Sequence, residues 1–496
     1  MSTNQTPARV RFAPSPTGYL HIGSARTALY DYLIAKQTGG AFILRLEDTD
    51  QKRFQEDSEN DFLTALDWMG IPPDEGPDRG PHAPYRQSLR AQIYRDYAEQ
   101  LINSGDAFYC FCTAEKLAKT REEQTRRNEN HHYDGTCRNL TAEEIAERKS
   151  KGEPYVVRFK TPRDGKTTVT DLLRGDITVD NSTLDDIILV KSDGLAVYHL
   201  AAIVDDHLMG ITHVMRSSEW LPTFPVHGLI CRALGWDEPI WVHLSVLLKP
   251  GGKGKMSKRD TELAQEQGYS IFMKDMDDLG YIPEAVNNWI ALMGWSYDDK
   301  TDFFTLDDLV SKFSLEKLNP APAAINFSKL DHFNGLHIRN LDQSDFAARI
   351  KPWFEKAGFT PDEKILFQVA GAIQNRTKKL TEVVDMAGFL FQESVDIALD
   401  RIVSEKLSAE QAADAAGKIL ELFQGLSEIT QENAETPLRE LAAEMNLKAG
   451  QIFGLVREAL AGQKVSPPLF DIIPIIGRDA VLSRLENTRD ILKKNQ

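Results

Sequence analysis

The sequence is short of cysteine, of long apolar runs and of positive charge. Only four of its 496 residues are cysteine, so no disulfide scaffold is expected and a reducing compartment fits. No stretch approaches the roughly 20 consecutive apolar residues that a membrane-spanning helix needs. The first residues, MSTNQTPA, form neither a signal peptide nor an Arg-rich transit sequence. We therefore expect a cytoplasmic protein that does not bind membranes.

The net charge of −16 argues against a protein that wraps nucleic acid without regard to its sequence. It does not exclude RNA binding through a few placed lysine and arginine side chains. The hydrophobic fraction of 42% and the charged fraction of 27% are typical of a globular chain. A length of 496 residues allows about three domains.

The stretch over residues 10–50 predicts a strand, a turn, a helix and a second strand. A β-type segment over 10–13 breaks at two prolines, and a helical run then begins near His21 and stops at Gly39-Gly40. The segment AFILRLE follows as the second strand. This order is the βαβ unit of a parallel sheet, whose turn is a place where nucleotides bind.

The turn of this unit is compact and polar, with Ser15, Thr17, His21, Gly23 and Ser24. His21 can donate a hydrogen bond to a phosphate, and Gly23 leaves room for a base or a ribose at the helix start. The alternative interpretation is that His21 only caps the helix or is solvated.

A second polar stretch, GGKGKMSKRD over residues 251–260, concentrates positive charge in a glycine-rich loop. Its cations are Lys253, Lys255, Lys258 and Arg259. Such a loop suits a transient anion such as departing pyrophosphate. The alternative is an ordinary exposed basic loop.

Together the two stretches resemble known motifs. PSPTGYLHIG resembles the HIGH motif of class I aminoacyl-tRNA synthetases, and KMSKR resembles their KMSKS motif. RFAPSPTG, LRLEDTD, PYRQS, YHLAAIVDDHLMGITHVMRSSEW and KMSKR also stand in the order seen in the family of bacterial-type glutamyl-tRNA synthetases. The resemblance is strong over about two-thirds of the chain and looser in the C-terminal third.

The resemblance implies an α/β fold: a Rossmann-like class I catalytic domain, an inserted α+β domain that binds the tRNA acceptor end, and an all-α C-terminal anticodon-binding region. Combined with the pattern, it predicts the catalytic domain over 1–92 and 201–260, the insertion over 93–200, a stem-contact domain over 261–340 and the helical region over 341–496. Helices are predicted near 58–69, 93–102 and 224–234. Within the insertion, strands are predicted at YVVRFK, TTVTDLL, DITVD, DIILVK and LAVYHL.

The implied reaction has two steps. Glutamate attacks the α-phosphate of ATP to give glutamyl-adenylate and pyrophosphate, and the terminal adenosine of tRNA(Glu) then accepts the glutamyl group. No covalent enzyme intermediate is needed, so positioning and charge stabilisation suffice. The resemblance implies Mg²⁺ with the ATP and catalytic roles for His21, Gly23, Lys255 and Lys258. It also implies that ATP contacts His21, Gly23, Glu219, Trp220, Leu247, Leu248 and Lys258. For Trp220 and the two leucines, ordinary core packing is the alternative.

The amino-acid pocket needs a cation for the side-chain carboxylate, which arginine can hold with two parallel hydrogen bonds. Arg11 and Arg216 match the family's arginine positions, and Arg11 stands in an otherwise apolar strand. The other family positions that match are Ala13, Ser15, Glu47 and Tyr198, with Glu47 suited to the substrate's ammonium.

Three of the four cysteines form a separate candidate site. Cys110, Cys112, Tyr133 and Cys137 resemble the zinc knuckle of some glutamyl enzymes, although Asn139 stands where the fourth ligand usually is. Tyr133, or one of the neighbouring His131 and His132, would complete the shell. The alternative is three free thiols without a metal. Cys231 reads as a buried small residue on an apolar helix.

Arg376, with its basic neighbours, is a candidate tRNA anticodon contact, and an exposed helix face is the alternative. A glutaminyl-tRNA synthetase and a non-catalytic tRNA-binding paralogue remain competing functions. Arg11 with Arg216 favours a carboxylate substrate, and the helical C-terminal part favours the glutamyl enzyme. A truncated relative that modifies a base and a small-molecule nucleotidyltransferase leave the C-terminal third without a role. Members of the resembled family are typically monomers.

Overall fold

A computed structural model describes residues 6–50, 53–256, 260–265, 268–404, 407–463 and 465–495. The chain divides into two compact units. The first contains Met1–Asp275 and Val286–Phe327, and the second contains Met276–Ala285 and Ser328–Gln496. The five-part division drawn from the sequence stays a prediction, because this division separates only two units.

The strands all belong to the first unit. They are β1 Arg9–Phe12, β2 Ala41–Leu44, β3 Ala107–Cys110, β4 Val156–Phe159, β5 Lys166–Asp171, β6 Gly175–Asp180, β7 Ile188–Val190, β8 His213–Ser217, β9 Ile240–Leu244, β10 Leu247–Leu248 and β11 Ala323–Ala324.

The first ten α-helices begin in the first unit or at its border. They are α1 Ile22–Thr38, α2 Asp57–Trp68, α3 Ala91–Ser104, α4 Ala114–Arg126, α5 Ala142–Ser150, α6 Tyr198–Leu208, α7 Phe224–Ala233, α8 Thr261–Gln265, α9 Pro283–Ala291 and α10 Leu306–Lys312. The remaining helices are α11 Phe327–Asn340, α12 Gln343–Lys356, α13 Glu363–Ile373, α14 Val383–Ala387, α15 Leu399–Ile402, α16 Ala409–Gln424, α17 Gln431–Glu444, α18 Ala449–Ala461, α19 Leu469–Ile476 and α20 Arg478–Lys494. Among the described residues, every helix is too short or too polar to span a membrane.

The predicted βαβ unit is confirmed. Strand β1 pairs in parallel with β2, with Arg11 opposite Ile43, and α1 connects them. Helix α1 buries Ala25, Ala28 and Leu29 and ends at Gly39, whose positive φ of 68° is the left-handed conformation that glycine adopts most readily. Burial of each large apolar side chain contributes about 1.5–3 kcal/mol, so this buried face stabilises the helix on the sheet.

Strand β8 lies beside β1, although the two strands belong to different sheets. The backbone N–H of Thr212 donates to the carbonyl of Arg9, and β8 pairs in parallel with β9 along its whole length. The carboxyl ends of β1 and β8 therefore lie close together, as the rule for parallel α/β sheets requires of a ligand site.

The predicted insertion is less separate than the sequence suggests. Strands β3, β4 and β7 form their own antiparallel sheet. The hairpin of β5 and β6, by contrast, joins the sheet of β8 and β9, because Asp171 pairs in parallel with Trp241. Part of the insertion thus extends the sheet of β8 and β9.

One predicted strand is wrong. Of the segment LAVYHL, only Ala196 makes a β-bridge, and helix α6 begins at Tyr198. Its apolar residues continue on the buried face of α6, which includes Leu200, Ala201 and Val204. A short apolar run has no periodicity that separates a buried strand from the first turn of a buried helix.

The second unit is helical, as predicted. Helix α16 packs on α20, and both bury aliphatic side chains, among them Ile419 and Leu485. The basic segment around Arg376 lies in the turn after α13, and the Arg376 side chain is exposed. The side chain is thus exposed, as the alternative requires, but it lies in a turn instead of on a helix face, and the anticodon contact stays a prediction.

Candidate active site

A cavity of about 330 Å³ lies at the carboxyl ends of β1 and β8 and at the start of α1. Most of the residues predicted from the sequence to form a site line this one cavity. They are Arg11, Ala13, Ser15, His21, Gly23, Glu47, Tyr198, Arg216, Glu219, Trp220, Leu247 and Lys255. Leu248 and Arg376 are not among its lining residues. Lys258 lies outside the described residues.

His21 stands at the start of α1. Its Nδ1 accepts the backbone N–H groups of Gly23 at 3.0 Å and Ser24 at 3.4 Å, so the imidazole is the N-cap of the helix. Nε2 lies 3.2 Å from the Ser24 hydroxyl. A Cβ on Gly23 would lie only 3.0 Å from Cε1 of the same imidazole. A side chain at position 23 would therefore press on the imidazole that caps the helix.

The basic loop after β10 folds back on the cavity. The N–H of Met256 donates to the Leu247 carbonyl, and Leu248 makes a β-bridge with Lys255. The Lys255 ammonium forms an ion pair with Glu219, and both side chains are about half exposed. The two residues, both expected to contact ATP, are therefore paired with each other at the cavity.

Arg11 is buried and already paired. Its Nε and Nη2 donate to the two oxygens of Asp206 at 2.9 and 3.3 Å, and its Nη1 donates to the Met215 carbonyl at 3.2 Å. Although burial works against the charged form, Asp206 raises the pKa of Arg11 above its usual value. Each of these nitrogens thus donates one hydrogen bond within the protein, and Nη1 and Nη2 each carry a second N–H.

Behind Arg11 lies a buried ionic cluster. Arg45 has no exposed surface and contacts Glu47 at 3.2 Å and Asp206 at 2.7 Å. Asp205 receives Nε of Arg90 at 2.6 Å. Removing one partner from such a cluster costs about 3–5 kcal/mol, because it leaves a buried charge without compensation.

Glu47 lies where this cluster meets the cavity. Burial raises the pKa of its carboxyl to about 7, and the nearby Arg45 and Arg11 limit the rise. The group is therefore close to half ionised at neutral pH, and a cation beside it would favour the ionised form.

Arg216, at the end of β8, differs from Arg11. It is buried, and its contacts are to neutral groups: Nη1 donates to the Tyr198 hydroxyl at 3.3 Å and to His227, and Nε donates to His243. Within the described part of the chain, Nη2 has no hydrogen-bond partner and no carboxylate forms an ion pair with Arg216. Burial lowers the pKa of Arg216. Here a cation lines a cavity without a counter-ion.

Trp220 stacks on Tyr198, with ring centroids 4.0 Å apart. The stack places the indole and the phenol side by side on one wall of the cavity, beside Arg216. Trp220 therefore belongs to the same wall as the residues expected at the amino acid.

The cysteine cluster lies apart from this cavity. The sulfur atoms of Cys110, Cys112 and Cys137 all lie within 4.8 Å of one another. The Tyr133 hydroxyl lies 3.4 Å from Sγ of Cys110 and 3.7 Å from Sγ of Cys112. Hydrogen bonds from Cys137 and Tyr133 lower the pKa of the Cys110 thiol despite burial.

These distances fit a tetrahedral metal site. Zinc bonds of about 2.3 Å to sulfur and about 2.0 Å to oxygen place sulfurs about 3.8 Å apart and a sulfur and an oxygen about 3.5 Å apart. Sγ of Cys112 and Sγ of Cys137 are 3.6 Å apart. His131 and His132 are exposed and hydrogen-bonded to Thr125 and to Asn130. The geometry thus favours Tyr133 over either histidine.

Comparison with known proteins identifies the family of the chain. The profile described as tRNA synthetases class I (E and Q), catalytic domain, matches residues 7–332, and an anticodon binding domain profile matches 345–489. The Glutamate--tRNA ligase of Roseiflexus castenholzii is 42% identical over 99% of this chain and 98% of its own. That of Borreliella burgdorferi is 40% identical over 98% and 99%.

The chain belongs to the glutamate–tRNA ligase family. A crystal structure of a glutamate tRNA ligase from Elizabethkingia meningosepticum superposes with a TM-score of 0.89 at 35% identity, covering 98% of this chain and 100% of the other. The family resemblance and the fold class predicted from the sequence are therefore confirmed.

The sequence did not identify the partners of Arg11 and Arg216, the two arginines at family positions. Asp206 pairs with Arg11, and His243 and His227 hold Arg216. A signal was present: Asp205-Asp206 interrupts an apolar helix, and Arg45 interrupts an apolar strand. Charges at such positions need buried partners, but the sequence does not say which ones.

Proposed function

We propose that this chain ligates glutamate to tRNA(Glu) with the cavity at the ends of β1 and β8 as its active site. The family membership and the glutamate–tRNA ligase function of its relatives place it among the class I enzymes, which use ATP and a tRNA. The observation that carries the choice of amino acid is Arg216, a buried guanidinium that lines the cavity without a counter-ion. A carboxylate on the substrate would compensate this charge, whereas a neutral amide would not.

Glutamate is held at two ends in this proposal. Arg216 binds its side-chain carboxylate, with the Tyr198 hydroxyl beside it, and Glu47 binds its ammonium. Ala13 and Ser15 line the path between them. Arg11 also lines the cavity, where it adds positive potential and holds Asp206, and the second N–H of Nη1 or Nη2 remains available to the substrate carboxylate.

ATP occupies the part of the cavity at the start of α1. The helix N-terminus favours phosphate, and His21 can present Nε2 to it while Nδ1 caps the helix. Gly23, Glu219, Trp220 and Leu247 form the adenosine end, whereas Leu248, predicted there from the sequence, does not line the cavity. Lys255 and Lys258 stabilise the charge that develops on the phosphate and on the leaving pyrophosphate. Mg²⁺ accompanies the ATP phosphates.

The Lys255–Glu219 ion pair gives the loop a resting position. ATP brings a higher negative charge than one carboxylate, so Lys255 would exchange Glu219 for the phosphates. A half-exposed ion pair contributes only about 0–1 kcal/mol, so this exchange has a small cost.

The remaining proposals concern binding partners. The insertion holds the acceptor end of the tRNA, and Arg376, exposed in the turn after α13, contacts the anticodon arm. Cys110, Cys112, Cys137 and Tyr133 hold one structural Zn²⁺, since the donor set and spacing fit that ion. We place the enzyme in the cytoplasm, where its substrates are found, as a monomer.

The test is aminoacylation with radiolabelled glutamate or glutamine, ATP–Mg²⁺, and tRNA(Glu) and tRNA(Gln) assayed separately. We expect glutamate on tRNA(Glu). Glutamate on both tRNAs would add a second tRNA substrate. Glutamine as the preferred amino acid, or charging with neither by folded protein that binds tRNA, would contradict the proposal.

An Arg216→Gln variant tests the observation that carries the choice of amino acid. We expect kcat/KM for glutamate to fall about 100- to 1,000-fold, because a buried charged hydrogen-bond partner is lost. The control is Arg232→Gln: Arg232 lies on the neighbouring α7, pairs with Glu238 and does not line the cavity. An Arg216→Gln enzyme with unchanged glutamate kinetics would contradict this assignment.

A further inference from the structure

Arg216 and four buried side chains behind it are joined end to end by hydrogen bonds. We propose that Asp171, His243, His227 and His199 are positioning residues that aim the Arg216 guanidinium at the substrate's side-chain carboxylate and leave its charge uncompensated. The inference rests on the proposed role of Arg216. We name the five residues together the Arg216 relay.

The relay runs without a gap across the buried side of the cavity. Oδ2 of Asp171 lies 2.8 Å from Nδ1 of His243, and Nε2 of His243 lies 3.0 Å from Nε of Arg216. On the other side, Nη1 of Arg216 lies 2.9 Å from Nδ1 of His227. Nε2 of His227 lies 2.8 Å from Nδ1 of His199.

Because arginine can only donate hydrogen bonds, it determines which ring nitrogen of each histidine in the Arg216 relay carries the proton. A guanidinium can only donate, so Nε2 of His243 and Nδ1 of His227 must accept. The proton of His243 therefore lies on Nδ1 and is donated to Asp171, and that of His227 lies on Nε2 and is donated to His199. Both imidazoles are neutral. Burial, reinforced by Arg216, lowers the pKa of His227 well below its usual value, and burial also lowers that of His243.

The position of the carboxylate is the central feature. Asp171 also accepts the backbone N–H groups of His243 at 2.9 Å and Leu173 at 3.1 Å, which fixes it at the end of β5. One neutral imidazole separates it from Arg216. A carboxylate in direct contact would take the donors that a substrate needs, as Asp206 takes those of Arg11. The N–H groups of Arg216 are held in a fixed direction, and within the described residues no carboxylate compensates its charge.

The guanidinium has a further rigid contact. Cζ of Arg216 lies 4.7 Å from the centre of the Trp241 ring, within range of a cation–π contact. Trp241 and Asp171 occupy paired positions on β9 and β5. The relay thus draws on β5, β8, β9, α6 and α7, and its geometry depends on the inserted hairpin joining the main sheet.

The experiment compares Asp171→Asn, His227→Phe and His227→Asn by aminoacylation, with KM measured separately for glutamate and ATP. Asp171→Asn removes the carboxylate that accepts the Nδ1–H of His243. His227→Phe removes the acceptor for Nη1, whereas His227→Asn keeps an acceptor oxygen close to Nδ1. The control Asp176→Asn changes an exposed aspartate on the partner strand β6.

We expect KM for glutamate to rise about 10- to 100-fold in Asp171→Asn and His227→Phe, with KM for ATP within twofold. His227→Asn and Asp176→Asn should remain close to wild type. Selectivity for glutamate over glutamine should fall in the two impaired variants. If Asp171→Asn does not fold, the two His227 variants decide.

Unchanged KM for glutamate, an equal rise in KM for both substrates, or equal impairment by His227→Asn and His227→Phe would overturn the inference. Those results would leave the proposed function standing, since the wild type would still charge glutamate. A wild-type enzyme that does not use glutamate would instead overturn the proposed function.

Discussion

Glu47 and Asp31 are buried carboxyl groups with raised pKa values, and they differ in what surrounds them. Glu47 lies at the cavity, where a substrate cation can restore its charge. Asp31 lies inside α1 with no exposed surface, and neither of its oxygens has a hydrogen-bond partner within the described ranges. Burial raises the pKa of Asp31 well above its usual value, although Arg11 opposes this.

The pKa of Glu47 makes glutamate binding depend on pH. With a pKa of about 7, the carboxylate that would hold the ammonium is lost as pH falls. We expect KM for glutamate to rise about tenfold from pH 8 to pH 6, while KM for ATP changes little. Steady-state kinetics on Glu47→Gln provide the control: its KM for glutamate should be high and independent of pH. The same slope in that variant would show that another group titrates.

Asp31 should destabilise the fold at neutral pH. Its folded-state pKa is raised, so both states bind the proton at low pH and stability is lost as pH rises above about 4. We expect Asp31→Asn to raise stability by about 1–3 kcal/mol at pH 7 and by nearly nothing below pH 4. Urea unfolding at both pH values measures this. Asp479→Asn, at a fully exposed position, should change stability by less than about 0.5 kcal/mol, and a loss of stability in Asp31→Asn at pH 7 would refute the interpretation.

At the scale of the element, the basic loop depends on its glycines. Gly251, Gly252 and Gly254 have φ values of 87°, 77° and 80°, which other residues adopt only with strain. They allow the chain to return to β10 within a few residues and to place Lys255 over the cavity. Lys253, in the same loop, is exposed and does not line the cavity.

We expect Lys255→Ala to lower kcat about 10- to 100-fold at saturating glutamate and tRNA, because a cation at the developing phosphate charge is lost. Its Tm should change little, since the ion pair with Glu219 is half exposed. Lys253→Ala is the matched control and should retain activity. Equal loss in both variants would indicate a general electrostatic effect of the loop instead of a contact by Lys255.

A second element, the segment after β3, carries the cysteine cluster that we propose binds zinc. We expect about one zinc per chain by elemental analysis of the purified protein, with loss of the ion in Cys112→Ser. Cys231→Ser is the control, because Cys231 lies apart on α7. Weakened zinc binding in Tyr133→Phe would support a tyrosine ligand. Wild-type protein that neither contains nor binds zinc would eliminate the site.

At the scale of the whole molecule, charge and surface composition favour a single chain. The net charge of −16 opposes self-association. The large apolar side chains that the described residues expose come from separate places in the sequence: Phe54, Leu89, Tyr155, Leu172, Ile240, Phe367 and Val465. We expect light scattering to give about the chain mass of 55.8 kDa at all concentrations. A concentration-dependent rise to twice that mass would show a dimer.

The sequence by itself determined the local elements and the family. The βαβ unit over 10–50 and the helical C-terminal region follow from periodicity, with Gly39 as a helix end, and these signals are short-range. Ordered motifs around His21 and Lys255 identified the family. The run LAVYHL is a limit of these local signals, because packing decides that a helix begins within it.

Only the tertiary structure decided how the charged residues are used. Arg11 and Arg216 looked equivalent in the sequence, but one is neutralised by Asp206, 195 residues away, and the other rests on two neutral histidines. The pKa of Glu47 and the position of Asp171 likewise depend on strands brought together from distant segments. Burial and hydrogen bonding set these properties, and both arise from contacts that a linear pattern does not contain.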